Sequence, residues 1–357
     1  MEAHVRVIGG GIAGTSVGAR LAELGRVVLV EAEPALGYHA SGRSAALFEV
    51  SYGLPATLAL NRASADWFHA SGLLAPRGLM LVGGPGQEDR FAADAAAMGL
   101  TPLTPAEARA MVPILHPETA MLTAWHDAAW DIDTDRMIQA FAREVRAAGE
   151  VVQGARVSAI RRTRDGWAVT AGGREITARV LVNAAGAWAD GVAEMAGIGP
   201  LGIRPLRRSM ARLAAPGGHD VSGWPMLLGV GEDWYAKPDA GALLVSPAEE
   251  DPSPPMDAWA DDMVLAEGLA RYEAHVTEPV TRPLATWAGL RSFAPDRTLV
   301  LGPDPRDAGF VWMAGQGGYG FQTAPAASRL VADRVAGRAP ALAAAEVAAL
   351  APDRFVA

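Results

Sequence analysis

The sequence predicts an α/β protein in which a dinucleotide-binding domain, cut into three segments, alternates with a second, β-rich domain. Three observations carry this. The chain opens on a strand, a glycine turn, a helix and a strand that ends in an acid. A second apolar strand runs into the small-residue turn Ala184-Ala185-Gly186. A third turn, Gly315 to Gly320, leads into the last long helical stretch. Glycine-rich turns between a strand and a helix are where an open α/β sheet binds its ligand.

The opening unit is the most specific. Val5-Arg6-Val7-Ile8 is the strand, and Gly9, Gly11 and Gly14 punctuate the turn and helix start. Gly9 permits the tight turn, Gly11 lets the backbone approach a pyrophosphate, and Gly14 lets the helix pack close to the strand. The free N–H groups at the helix start attract phosphate charge. Val27 to Val30 is the second strand, and Glu31 at its end presents a carboxylate to the ribose hydroxyls of an adenosine half.

Small residues and hydroxyls follow from Gly37 to Ala46. Apolar spacing predicts helices over 57–71, 89–98 and 135–148, and a strand over 78–82. Thr104-Pro105-Ala106-Glu107 is a helix start with an N-cap, a proline at the first position and a capping box. Residues 151–171 alternate as strands around an Asp165-Gly166 turn. Residues 179–183 form a buried strand, and short strands and turns fill 204–245. An acidic, proline-rich stretch over 249–256 reads as an exposed loop. A helix over 260–275, strands over 286–290, 299–301 and 310–314, and a helix over 323–336 complete the chain. This order places the cofactor domain at 1–77, 133–204 and 285–357, and the substrate domain at 78–132 and 205–284.

Composition narrows the chemistry. The 357 residues carry a formal net charge of −9, which argues against nucleic acid or an anionic membrane as partner of the whole protein. The absence of cysteine excludes disulfides, thiolate metal sites and a flavin attached through sulfur. The histidines lack metal-ligand spacing, and His126, His219 and His275 read as isolated surface or cap residues. The first apolar run is already the first strand and carries His4 and Arg6, so it does not read as a signal peptide. No run approaches the length of a membrane span. A soluble cytoplasmic protein is expected.

Six segments resemble the D-amino-acid oxidase superfamily of FAD-dependent amine and amino-acid oxidoreductases, and within it the D-arginine dehydrogenase-like enzymes. They are GYHASGRSAA from Gly37, VLVNAAGAW from Val180, RPLRRS from Arg204, WYAKPDAG from Trp234, TWAGLRSF from Thr286 and GQGGYGFQT from Gly315. The resemblance covers nearly the whole chain. It implies a GR2-type Rossmann-like FAD-binding domain, a β-rich α+β substrate-binding domain and non-covalent FAD. The implied reaction is oxidation of an amino acid of D configuration, with hydride passing from Cα to flavin N5. The imino acid formed then hydrolyses to a 2-oxo acid and ammonia.

The resemblance also implies roles. Arg291 and Tyr235 hold the substrate carboxylate, Arg208 lines the same pocket, and Tyr52 stands in a loop at its entrance or, on the bland reading, is a helix-cap aromatic. An arginine suits the first role because its planar fork matches a carboxylate with two parallel charge-assisted hydrogen bonds. Arg207 should point the opposite way from Arg208 if both lie on a strand; which of the two faces the flavin is open. FAD contacts are implied for Gly9, Gly11, Ile12, Ala13 and Gly14 in the first turn, and for Glu31 and Ala32 after the second strand. They are implied too for Ser41, Arg43, Ser44, Ala45 and Ala46, for Val157, Ala185, Gly186 and Trp188, and for Gly289. The last turn contributes Gln316, Gly317, Gly318, Tyr319 and Gly320. That turn has a physical reading of its own, because a helix N-terminus aimed at the N1–C2=O edge stabilises the charge of reduced flavin. His39 attaches flavin covalently in some relatives; here it is not expected to.

Two departures concern the substrate side chain. Relatives that prefer cationic substrates carry an acid where Leu79 stands, and a histidine and a small hydroxyl residue where Leu47 and Glu49 stand. The missing carboxylate weakens recognition of an arginine- or lysine-like side chain, and Glu49 restores it in part if it faces the pocket. A neutral or cationic side chain is the expectation. No histidine or carboxylate base is evident. Positive charge from Arg291 and Arg208 would lower the pKa of the substrate ammonium, with water or Tyr52 taking the proton. The electron acceptor, O2 or a quinone, stays open. So do a glycine- or sarcosine-type amine oxidase, a 2-hydroxy acid dehydrogenase and a flavoprotein subunit that needs a partner for turnover.

Overall fold

The computed structural model describes residues 2–356. Strand β1 (Glu2–Ile8) is the hub of the first sheet. It runs parallel to β2 (Val27–Val30) on one side and to the strand Arg174–Asn183 on the other. Between β1 and β2 the chain makes helix α1 (Ile12–Leu21). The sheet, of eight strands, extends past β2 to Glu150–Val152. On the far side, Arg174–Asn183 pairs antiparallel with Gly166–Ala171 over its first half and parallel with Phe310–Ala314 over its last residues. Strands covered on both faces need no polar side, so Val27 to Val30 are buried throughout.

One face of this sheet packs against α1 and the helices Thr134–Ala148 and Gly320–Val335, around Val5, Val7, Leu29, Phe141 and Leu330. The helix Thr134–Ala148 turns Met137, Ile138, Phe141 and Val145 inward, a stripe at helical spacing. Asp133 caps it, accepting the Arg136 N–H at 3.0 Å. Such a cap is worth about 1 kcal/mol. The other face buries Trp167, Phe310 and Trp312 against the short helix Ala189–Met195.

The second sheet has nine strands. Its longest, Arg204–Ala214, pairs antiparallel with Ala242–Ser246 and with Ala285–Phe293. Tyr235–Asp239, Met226–Gly229 and Leu79–Gly83 continue it outward. A small third sheet joins Leu47–Glu49 and Leu74–Pro76 to Ala129–Ile132.

The elements foreseen from the sequence are present, with differences. Residues 285–293, expected to open the last cofactor segment, hydrogen-bond into the nine-stranded sheet, with Arg291 opposite Leu206 and Gly289 opposite Arg208. The 249–256 stretch is not wholly an exposed loop. Asp251–Pro252 pairs with Leu206 and Arg207, and the half-buried Glu249 accepts the Ser209 N–H at 2.6 Å. The helix Ala344–Leu350 was not foreseen; its alanines give no amphipathic pattern, yet Leu350 is fully buried. The capping box at Thr104 forms, with the Glu107 N–H donating to Thr104 Oγ1 and the Thr104 N–H to Glu107 Oε2. Among the described residues no helix is long and apolar enough to cross a membrane.

Candidate active site

One cavity of about 560 Å³ runs from the carboxyl end of β1 and β2 to the face of the nine-stranded sheet that carries Arg208, Tyr235 and Arg291. At its first end the backbone makes a cradle that side chains would fill. Gly9 has φ +108°, and a Cβ there would lie 2.3 Å from the Ala184 carbonyl oxygen. A Cβ on Gly14 would lie 1.9 Å from the Gly9 oxygen, so α1 can start this close to β1 only with glycine at that position. Gly14 itself lies beneath the cavity wall, while Gly9, Gly11, Ile12 and Ala13 line it. The first turn of α1 holds no acidic residue, which leaves the helix N-terminus favourable to a phosphate. The Ile12 N–H donates to Ser41 Oγ at 3.0 Å, fixing the 37–44 loop over that end.

Glu31 and Ala32 line the same end. The Glu31 carboxylate accepts the Gly10 N–H at 2.6 Å through one oxygen and the Glu33 N–H at 2.8 Å through the other. It is therefore held where the second strand ends. Val157, Ala185, Gly186 and Trp188 form the opposite wall, and Ser44, Ala45 and Ala46 continue along the cavity with Gly289. These features fit an elongated dinucleotide: a phosphate cradle, a carboxylate beyond it and an apolar channel between.

Arg43 lines the cavity, but its guanidinium is engaged elsewhere. It donates to the carbonyl oxygens of Ala258 and Ala288, each at 2.8 Å, and pairs with Asp257. Tyr38 Oη also reaches Asp257, at 3.3 Å. The segment Met256–Ala258 is thereby strapped across the cavity rim, and Met256 and Ala258 line the cavity. The His39 ring pairs with Glu33 at 3.2 Å and packs 4.7 Å from the Trp188 ring.

At the far end, Arg208 and Met210 alternate along one strand and both line the cavity; so do Gly289 and Arg291 on the neighbouring strand. The period of two puts each pair on one face. Arg207 turns the other way, toward Asp251 and Asp261. Arg208 donates to the Glu249 carbonyl oxygen at 2.8 Å and pairs with Glu250 at 3.3 Å; burial, then Arg291, lowers its pKa. Arg291 is different. Among the described residues its guanidinium has neither a hydrogen bond nor an ion pair, and it rests against Gly318, where a Cβ would lie 2.9 Å from Nη1. Tyr235 is buried to 5% exposure beside it, and its hydroxyl is likewise without a protein partner. A charged fork and a phenol thus stand open on one cavity wall, with donors unspent on the protein.

Gln316, Gly317, Gly318 and Gly320 line the cavity where the helix Gly320–Val335 begins, and Gln316 Nε2 is buried without a partner. Tyr319 does not line it. As the helix N-cap, it packs its ring 5.4 Å from that of Tyr52. Tyr52 is also outside the lining. Its hydroxyl donates to Glu232 Oε2 at 2.8 Å, closing the loop after Leu47–Glu49 onto the loop at Val230–Glu232. Burial, and then Glu232, hold this phenol well above the usual tyrosine range. The expectation that Tyr52 takes the substrate proton is therefore corrected: the group is protonated and already donating.

Two side-chain expectations are corrected as well. Glu49 does not face the cavity. It is 3% exposed, its Oε2 lies 2.9 Å from His126 Nε2, and its Oε1 accepts the Ser51 N–H. His126 is accordingly not isolated. Leu79 is buried behind Tyr235 in an apolar cluster, and of the three only Leu47 lines the cavity. Sequence reasoning missed Met210, Ser292 and Gln322 as lining residues. Met210 was reachable, two residues beyond Arg208 on the same strand face. Gln322 and Ser292 had no signal of their own.

The comparisons with known proteins bear on this geometry. A family model described as DAO, FAD dependent oxidoreductase, matches residues 4–334. FAD-dependent oxidoreductase domain-containing protein 1 of Bos taurus is 29% identical over 175 residues, 44% of this chain and 35% of that protein. The match thus spans about a third of this curated relative's length. D-amino acid dehydrogenase 2 of Ralstonia nicotianae is 45% identical over 65 residues, 18% of this chain and 15% of that one. The solved structure of glycine oxidase from Geobacillus kaustophilus superposes with a TM-score of 0.82 at 22% identity, over 97% of this chain and 98% of that one. At that identity the likeness shows a common fold.

Proposed function

The chain belongs to the FAD-dependent oxidoreductase (DAO) family, and from that premise we propose that it oxidises the α-amino group of a D-amino acid to the imino acid. The imino acid hydrolyses in water to the 2-oxo acid and ammonia. The observation that carries this reading is the unpaired guanidinium of Arg291, beside the free hydroxyl of Tyr235, at the far end of a cavity that begins in a dinucleotide cradle. The short segment shared with the D-amino acid dehydrogenase supports the configuration.

FAD held in the cradle of Gly9, Gly11 and Ile12 and by the turn at Gln316–Gly318 would supply the two-electron oxidising chemistry. The chain supplies the positioning. Arg291 takes the substrate carboxylate in its fork, and Tyr235 adds a hydrogen bond from another strand of the same sheet. Two such contacts fix the orientation of Cα, and holding reactants in a reactive geometry is where most of the rate would arise. Arg208 stands beside Arg291, but its pairing with Glu250 leaves it a weaker ligand. Both cations lower the pKa of the substrate ammonium, and water takes that proton, since Tyr52 is committed to Glu232. The helix starting at Gly320 directs its N-terminal end at the cavity and favours negative charge there.

In this reading residues 1–77, 133–204 and 285–357 hold FAD, and 78–132 and 205–284 hold the substrate, with the strand Ala285–Phe293 serving both. FAD is held without a covalent bond to His39, whose Nε2 is engaged by Glu33. A glycine- or sarcosine-type amine oxidation is the second reading, favoured by the shared fold with glycine oxidase. Anaerobic mixing of the purified holoprotein with both enantiomers of several amino acids, with glycine and with sarcosine separates them. Loss of flavin absorbance with D-amino acids is the expected outcome. Reduction by glycine or sarcosine alone would overturn the D-amino-acid reading.

A further inference from the structure

The substrate half of the cavity also says what kind of side chain it takes. Resting on the amino-acid reading above, we propose that the substrate side chain is an uncharged, apolar one, and that Met210 is the residue that sets this preference.

The charged residues that line this half are Arg208 and Arg291, both cations. Glu31, Glu33, His39 and Arg156 line the adenosine end, and Arg43 is tied to Asp257. An ammonium or guanidinium on the substrate would therefore meet two positive charges and no carboxylate. Of the carboxylates close by, Glu250 is paired with Arg208 and Arg297, Glu249 accepts the Ser209 N–H, and Glu49 faces His126 and the Ser51 N–H. An acidic side chain would find Arg208 already paired with Glu250, and Arg291 holding the α-carboxylate.

Beyond the two guanidinium groups the wall carries the neutral polar groups of Tyr235, Ser292, Gln316 and Gln322 together with an apolar patch at Met210 and Leu47. Met210 is one step along its strand from Arg208, opposite Trp287. It lines the cavity and packs in a cluster with Leu79, Leu228 and Tyr235, which Leu47 joins from the third sheet. An aliphatic side chain entering against Met210 and Leu47 loses water there, at roughly 0.8 kcal/mol per methylene. A methionine floor is unbranched and adaptable, so it accommodates linear as well as branched chains. A charged head group at the same place would be desolvated without a partner.

Norleucine and lysine share a four-carbon side chain and differ by the terminal ammonium, so they isolate this effect. The experiment is anaerobic flavin reduction of the holoprotein by both enantiomers of norleucine, lysine and glutamate. The expected result is a kcat/KM for norleucine at least about a hundredfold above that for lysine or glutamate. A second arm uses Met210→Glu and Met210→Gln. The glutamate variant should raise the lysine-to-norleucine ratio at least about tenfold, and the glutamine variant, of similar size and uncharged, should not. Lysine or glutamate reducing the flavin as fast as norleucine, or equal ratios in the two variants, would overturn the side-chain proposal while leaving amino-acid oxidation standing. No reduction by any of the amino acids would instead overturn the amino-acid reading and this proposal with it.

Discussion

Arg291 and Gly318 are in contact across the cavity: the Arg291 Nη1 occupies the space a side chain on Gly318 would need, 2.9 Å from the position of its Cβ. The glycine is thus part of the arginine's placement. Gly318→Ala should displace the guanidinium without disturbing the adenosine end. Because displacements of about 1 Å cost on the order of 10²-fold in rate, kcat/KM for the amino-acid substrate should fall about ten- to a hundredfold, well beyond any fall in FAD content. Steady-state kinetics beside flavin-to-protein ratios read both quantities.

Asp257 and Arg43 fasten the Met256–Ala258 strap over the cavity rim. Asp257 is half exposed, so the pair is screened and worth at most about 1 kcal/mol. Asp257→Asn should raise the dissociation constant of FAD about three- to sixfold, measured by titrating apoprotein with FAD and following fluorescence quenching. An unchanged constant would show that the strap does not retain the cofactor.

Tyr272 is buried at 2% exposure with its hydroxyl unpartnered, and burial raises its pKa above the ordinary phenol value. The folded-state pKa exceeds the unfolded one, so the folded chain holds its proton longer. The associated stability is full below about pH 10 and is lost as pH rises beyond it. Tyr272→Phe should be neutral or slightly stabilising at neutral pH and should flatten the fall in Tm above about pH 10. A variant whose Tm falls as steeply as wild type would contradict this.

Arg6 lies fully buried in β1, and none of its guanidinium nitrogens has a hydrogen-bond partner. Burial draws its pKa down to about 10. Glu150 offsets this in part, and replacing a buried charge that makes no hydrogen bond with an apolar residue of similar volume removes a desolvation penalty. Arg6→Leu should stabilise the fold by roughly 1–3 kcal/mol in urea titrations.

Much of this fold was legible because its signals are local. Gly9, Gly14 and Glu31 are dictated by a turn, a close packing and a strand end, each encoded within a few residues. The alternation that separates Arg207 from Arg208 is local too, and extending it would have reached Met210. What stayed hidden depends on partners far apart in sequence. Glu49 looks free until the fold brings His126 against it. Arg43 looks like an FAD contact until Asp257, 214 residues later, takes it. Tyr52 looks like a base until Glu232 accepts its proton in a hydrogen bond. Charges are assigned by their neighbours, and a linear chain does not show which neighbours it will have.

The most direct test is the anaerobic reduction rate of holoprotein carrying Arg291→Met, measured with the D-amino acid that reduces wild type fastest. Two charge-assisted hydrogen bonds are lost, about 3–6 kcal/mol, so kcat/KM should fall roughly 10²- to 10⁴-fold while FAD stays bound. Turnover within a factor of about two of wild type would contradict carboxylate capture by Arg291, the central claim of the site.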